Sequence, residues 1–182
     1  MVTKKRSKKK SARVKSAAAS TRAEKTHADD SKKPTSKKTI GWREWVRLPD
    51  LNVGRVKAKV DTGARTSALH AFKIIPFTKD GAAYVRFVVH PLQRMNTPEV
   101  ACVALVIDHR GVTDSGGRVE QRYVIRTTLK LGKTSWPIEL TLTNRDQMGF
   151  RMLIGRQALR RRYLVDPSRS FLMRKKKSAA VA

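Results

Sequence analysis

The sequence predicts a mainly β domain, closed or sandwiched, with one short helix near its C-terminal end and a disordered basic tail on either side. Three observations carry this. Between residues 40 and 173 the apolar residues fall in short runs that alternate with polar ones and are separated by turn residues, the pattern of many short strands. A helical reading is confined to residues 157–162. Residues 1–38 hold 14 Lys and Arg against 3 acids, with no Phe, Trp or Tyr. Such a segment buries too little apolar surface to offset the entropy of ordering. Residues 1–39 are therefore read as a Lys-rich tail, 40–173 as one domain, and 174–182 as a second, shorter basic tail.

The elements follow in order. Residues 40–48 are aromatic and apolar at intervals (Trp42, Trp45, Val46) and end at Leu48-Pro49-Asp50. Residues 55–60 alternate charged and apolar side chains, as a half-buried strand does. Residues 83–90, rich in Val and Phe, read as a strand closed by His90-Pro91, and residues 99–108 as another. A loop is predicted over residues 109–117, with Asp114-Ser115-Gly116-Gly117 as its turn signal. Residues 119–131 alternate through Val119, Tyr123, Ile125, Leu129 and Leu131. Gly132-Lys133 then makes a turn, and residues 136–142 are the hairpin partner. Residues 151–154 form a short apolar strand ahead of the helical turns. Residues 163–165 and 170–173 are short strands around Asp166-Pro167.

The net charge of +27 is unevenly held. The N-terminal tail has 11 Lys and 3 Arg, whereas residues 40–173 have 6 Lys and 17 Arg. Lys is a hydrated point charge suited to a solvated arm; Arg is a planar fork that pairs with carboxylates and phosphates. The tail and the domain are thus basic for different reasons. Cys102 is the one cysteine, so no intramolecular disulfide forms, as suits a reducing compartment. The start is basic with no apolar stretch of the secretory kind. The longest apolar run, residues 100–107, is eight residues, too short to span a bilayer. A cytoplasmic protein with no membrane association is expected; the Ser/Ala-rich start leaves an organellar transit peptide open.

The predicted strand over residues 55–60 runs into Asp61-Thr62-Gly63-Ala64, which places a carboxylate at a strand end, then a hydroxyl, then a residue that turns freely. The same residues suit a simple tight turn. They also suit acid catalysis of peptide hydrolysis, in which two carboxyls share one proton, one activating water and the other protonating the carbonyl oxygen. One such Asp is half of that machinery. A second segment, Met152-Leu153-Ile154-Gly155-Arg156, joins a bulky apolar run to a Gly, an Arg and a short helix.

These two elements together resemble the retropepsins, the dimeric single-domain aspartic proteases. The resemblance implies a closed β-barrel, a homodimer, Asp61 as the catalytic acid, Thr62 as the hydroxyl that grips the partner's loop and Gly63 as the turn. It also implies Gly155 as the glycine behind the loop and Arg156 as a structural arginine. A closer resemblance covers nearly all of residues 40–173. Gly41-Trp42-Arg43-Glu44, residues 57–70, His90-Pro91-Leu92, residues 113–117 and residues 140–145 are similar to a bacterial group often labelled ATP-dependent zinc proteases. That group itself resembles retropepsins. Some members occur beside ATP-grasp ligases that add glutamate to a ribosomal protein, which implies cleavage of α-linked glutamate chains. The interval from Asp61 to Gly155 is longer than in viral retropepsins, so the flap, somewhere in residues 83–122, is expected to be elaborated. Arg65 stands where those enzymes carry an acidic or small residue.

The zinc label can be judged from residues. His27, His70, His90, His109 and Cys102 lie in separate segments, with no His-Glu-x-x-His and no paired cysteines, so neither metal nor cofactor is expected. An acidic substrate fits the Arg-rich domain independently of the resemblance. Candidate substrate-binding residues are Arg65, Thr66, Ser67, His90, Arg94, Arg118, Arg126 and Arg145, with Arg122 and Arg151 as further cations. The rival reading is a nucleic-acid- or ribosome-binding protein whose Lys-rich tail makes salt-sensitive phosphate contacts, built on an inactive module of the same fold. The tail lacks aromatics, so base stacking is not indicated.

Overall fold

The computed structural model describes residues 37–113, 116–144 and 149–173. All of them lie in the second of two units, residues 36–182. The two tails, apart from residues 37–39, fall outside the described residues, as do Asp114, Ser115 and Arg145.

The strands are β1 (Lys38–Gly41), β2 (Arg43–Leu48), β3 (Val53–Asp61), β4 (Ser67–His70), β5 (Phe72–Lys79), β6 (Ala82–Val89), β7 (Val100–Thr113), β8 (Val119–Leu131), β9 (Thr134–Thr143), β10 (Met152–Gly155) and β11 (Tyr163–Asp166). A 3-10 turn, Pro49–Leu51, joins β2 to β3, and the one α-helix, α1, is Arg156–Leu159. Nine strands form one sheet in the order β2-β3-β10-β4-β9-β8-β7-β6-β5. β2 also pairs with β8, so the first six close into a ring and β7, β6 and β5 extend from it. The thirteen-residue β8 makes this possible. Its first half pairs with β7, its last residues with β2, and β9 lies along its other edge. β1 and β11 form a separate parallel ribbon. The core fills the ring with Val46, Val56, Leu69, Leu129, Leu140, Leu142, Met152 and Ile154, each at most 1% exposed.

The mainly β class and the short helix are as the sequence predicts, and β8 occupies the predicted residues. The β8–β9 turn runs through Gly132 at φ +60°, a backbone conformation that glycine adopts without strain. Three differences have physical causes. The predicted loop over residues 109–117 is largely strand, because β7 continues to Thr113 in register with β8. Its polar side chains are satisfied there: Arg110 pairs with Asp108 at 3.0 Å and Glu139 at 2.7 Å, and His109 stacks on Tyr123. Residues 170–173 are not a strand. Their backbone N–H groups are taken by Arg43 and by the buried Glu44 carboxylate, at 2.9 Å from Phe171 N to Arg43 O and 2.8 Å from Leu172 N to Glu44 Oε1. Finally, β4 and β5 had no counterpart in the sequence reading. β5 lies at the sheet edge, the place where a strand tolerates a proline such as Pro76. Among the described residues, no helix is long and apolar enough to cross a membrane.

Candidate active site

β3 alternates buried Val56, Ala58 and Val60 with outward side chains and ends at Asp61. The chain then turns. Asp61 Oδ1 accepts hydrogen bonds from Gly63 N and Ala64 N, both at 3.1 Å, so the carboxylate holds its own loop and keeps Oδ2 outside those contacts. Thr62 and Gly63 are exposed at the tip.

The loop is fixed from behind by β10 and the start of α1. β10 runs parallel to β3 with Gly155 opposite Asp61. Gly155 N donates to Ser67 Oγ at 3.2 Å, Arg156 N to Ala64 O at 2.9 Å and Gln157 N to Arg65 O at 3.1 Å. The Arg156 guanidinium donates to Gly63 O at 2.6 Å. A Cβ on Gly155 would sit 2.5 Å from Thr66 C and O and 2.8 Å from Arg65 O, so only glycine allows this approach. Ser67 is buried, and its carbonyl accepts from Thr141 Oγ1 at 3.1 Å. It supports the loop from the inside, beneath Thr66.

The candidate cations separate into groups. Exposed Arg65 lines a groove with Thr62, Arg156, Gln157, Leu159, Arg160, Tyr163 and Val165. Arg126 shares a second cavity, of about 480 Å³, with Ser67, Trp136, Glu139, Gln157, Arg160, Arg161 and Arg162. Sequence reading missed Arg160 to Arg162 there, because only folding brings that run to β8. Arg122 is buried against Glu120 at 2.8 Å. Arg151 sits over the Phe72 ring at 5.6 Å. Arg94 and Arg118 are exposed, Arg94 at φ 59°.

His90 occupies a third region. Phe72 lies between His70 and His90, with centroids 4.3 and 4.4 Å away. His90 Nε2 is 3.1 Å from Glu99 Oε1. That hydrogen bond, helped by Lys73, holds the Glu99 carboxyl below its usual range. His109 is on Tyr123 instead. Among the described residues, no group of three or more His, Cys, Asp or Glu is placed to hold a metal. Burial pushes the Cys102 thiol up to about 11.

A ring-closed β domain that presents an Asp-Thr-Gly loop against an apolar-Gly-Arg segment defines a retropepsin-like module. A family model described as retropepsin-like aspartic endopeptidase RimB matches residues 39–176, and the chain belongs to this RimB-like family. Among curated relatives, it is 52% identical over 134 residues to a protein named probable alpha-L-glutamate ligase from Parasynechococcus marenigrum (strain WH8102), covering 74% of this chain and 29% of that protein. A protein of the same name from Shewanella halifaxensis (strain HAW-EB4) is 48% identical over 137 residues, covering 75% of this chain and 30% of that protein. The chain thus spans about three tenths of the length of these relatives. A crystal structure of a protein of unknown function from Legionella pneumophila subsp. pneumophila str. Philadelphia 1 superposes with a TM-score of 0.65 at 29% identity, covering 76% of this chain and all of that one.

Proposed function

We propose that the chain is an aspartic endopeptidase that acts as a homodimer, one Asp61 from each protomer, on α-linked glutamate-rich or otherwise acidic peptides or protein tails. The observation that carries this is the Asp61 loop itself: a carboxylate held by Gly63 and Ala64 N–H groups and braced by Gly155 and Arg156. A two-fold dimer brings two such loops together at the exposed Thr62-Gly63 tips, since a symmetric interface uses the same patch twice. The two carboxyls then share one proton. The ionised one takes a proton from water as its oxygen attacks the peptide carbonyl, and the protonated one gives its proton to the carbonyl oxygen. On collapse of the tetrahedral species the first carboxyl gives the proton it took from water to the departing amine, and a hydroxyl of that species returns its proton to the second carboxyl as the C–N bond breaks.

The acidic substrate is supported by exposed Arg65, four residues beyond Asp61, and by the names of the relatives, which refer to glutamate ligation. The test is incubation of the full chain with an α-linked glutamate oligomer, wild type against Asp61→Asn, with a chelator in parallel. Cleavage by the wild type that survives chelator and is lost in Asp61→Asn, with the dimer intact by light scattering, is expected. Cleavage that stops with chelator and ignores Asp61 would overturn the reading.

A further inference from the structure

We propose that the outer face of β3 is a cationic rail that binds an acidic chain in extended form and leads it to Asp61. This rests on the proposed peptidase function, but its physical basis is separate.

Arg55, Lys57, Lys59 and Asp61 occupy every second position of one strand, alternating with buried Val56, Ala58 and Val60. All four therefore share one face. Residues two apart in a strand are about 6.6–6.8 Å apart. An extended run of glutamate repeats its same-side carboxylates at that interval, so successive carboxylates match successive cations. From Asp61 to Arg55 the rail is roughly 20 Å long at about 3.3 Å per residue.

β2 adds to the rail and stiffens it. Arg43 lies opposite Lys59, and Trp45 opposite Lys57. Arg55 stands over the Trp45 ring at 4.1 Å and Lys57 at 5.3 Å, while Phe171 stacks on the same indole at 5.9 Å and 22°. Arg43 lies over Trp42 at 4.6 Å and Phe171 at 5.2 Å. These rings order the cationic side chains without neutralising them. No carboxylate among the described residues is paired with Arg43, Arg55, Lys57 or Lys59. The one acid of β2, Glu44, is fully buried, with its oxygens taken by the N–H groups of Gly41, Leu172 and Met173. On β2 and β3, Asp61 at the end of the rail is thus the one acid of this face. Trp45 is already covered by Phe171 and two cations, which leaves no open ring for a nucleobase, so a polycarboxylate is favoured over single-stranded nucleic acid.

The rail makes the enzyme sensitive to substrate length. With α-linked glutamate oligomers of two to eight residues, kcat/KM is expected to rise until the chain spans the rail at about six residues, then level off. In the triple variant Arg55→Gln, Lys57→Gln, Lys59→Gln, the ratio of kcat/KM for the long over the short oligomer is expected to fall on the order of tenfold, mainly through KM, since exposed charge pairs each contribute a factor of a few. The wild-type ratio should fall with salt and the variant's ratio should not. An unchanged ratio in a variant that melts like the wild type would overturn the proposal. A binding arm separates this from failure of the peptidase reading: Asp61→Asn is titrated with a fluorescent glutamate octamer, with and without the triple substitution. Weaker binding in the rail variant supports the rail even if no chain cleaves the peptide. Equal binding by an oligothymidylate of the same charge, with the same loss in the variant, would mark a general polyanion surface and overturn it.

Discussion

Gly155→Ala is the sharpest probe of how the Asp61 loop is held. The new Cβ would lie 2.5 Å from Thr66 C and O and 2.8 Å from Arg65 O, against 3.4 Å for ordinary contact. About 0.9 Å of movement is needed, and the atoms in the way are backbone. They cannot rotate aside. The same stretch is anchored by Arg156 N to Ala64 O, Gln157 N to Arg65 O and Gly155 N to Ser67 Oγ, so relief means breaking one of these or displacing the loop. Overpacking of this kind costs about 2–3 kcal/mol. For a domain of this size that lowers Tm by roughly 6–15 °C. Displacing a catalytic group by about 1 Å lowers turnover on the order of 100-fold. Thermal unfolding by circular dichroism and glutamate-oligomer cleavage read the two effects separately. A variant with wild-type Tm and wild-type turnover would refute the claim that Gly155 braces the loop.

Three further outcomes are expected. Glu44→Ala removes the acceptor for three backbone N–H groups in a fully buried position and should destabilise by about 3–5 kcal/mol, read as a lower urea midpoint; Glu44→Gln should lose less. Cys102 should resist iodoacetamide at pH 8 in the folded chain and react once urea unfolds it, because burial raises its pKa to about 11; rapid labelling of the native chain would contradict the buried placement. The Ser168 hydroxyl and N–H hold the Asp166 carboxyl below its usual range, so its contribution is complete above about pH 4 and is lost as pH falls through the lower folded value. Asp166→Asn should therefore flatten part of the acid limb of a Tm-against-pH curve, and an unchanged limb would show that this contact does not couple to folding.

The Asp61 loop was legible because its information is local. A strand pattern, an Asp-Thr-Gly-Ala run and an apolar-Gly-Arg run can each be read without knowing the fold. Strand β8 was legible for the same reason, with strict alternation ending at a glycine turn. The C-terminal half of β7 was not, because Asp108, His109 and Arg110 read as loop until Tyr123 and Glu139 are placed beside them. Residues 170–173 misled in the opposite sense: they have strand-like composition, but the buried Glu44 takes their N–H groups. Strand β4, only four residues long, is too short to show a period, and β5 breaks its alternation at Ile75-Pro76. Among the cations, Arg65 could be placed by its neighbours alone, whereas the meeting of Arg126 with Arg160, Arg161 and Arg162 is a product of topology.

The parallel pairing of β3 with β10 also sets a clock. Gly155 stands opposite Asp61 although the two are 94 positions apart in the chain. At translation rates of about 5–20 residues per second, roughly 5–20 s pass between synthesis of the acid and synthesis of its brace. Until β10 emerges, the ring cannot close and the Asp61 loop has nothing behind it. A nascent chain thus carries Asp61 early but without its brace, and the loop takes its folded shape only when almost the whole domain has been made.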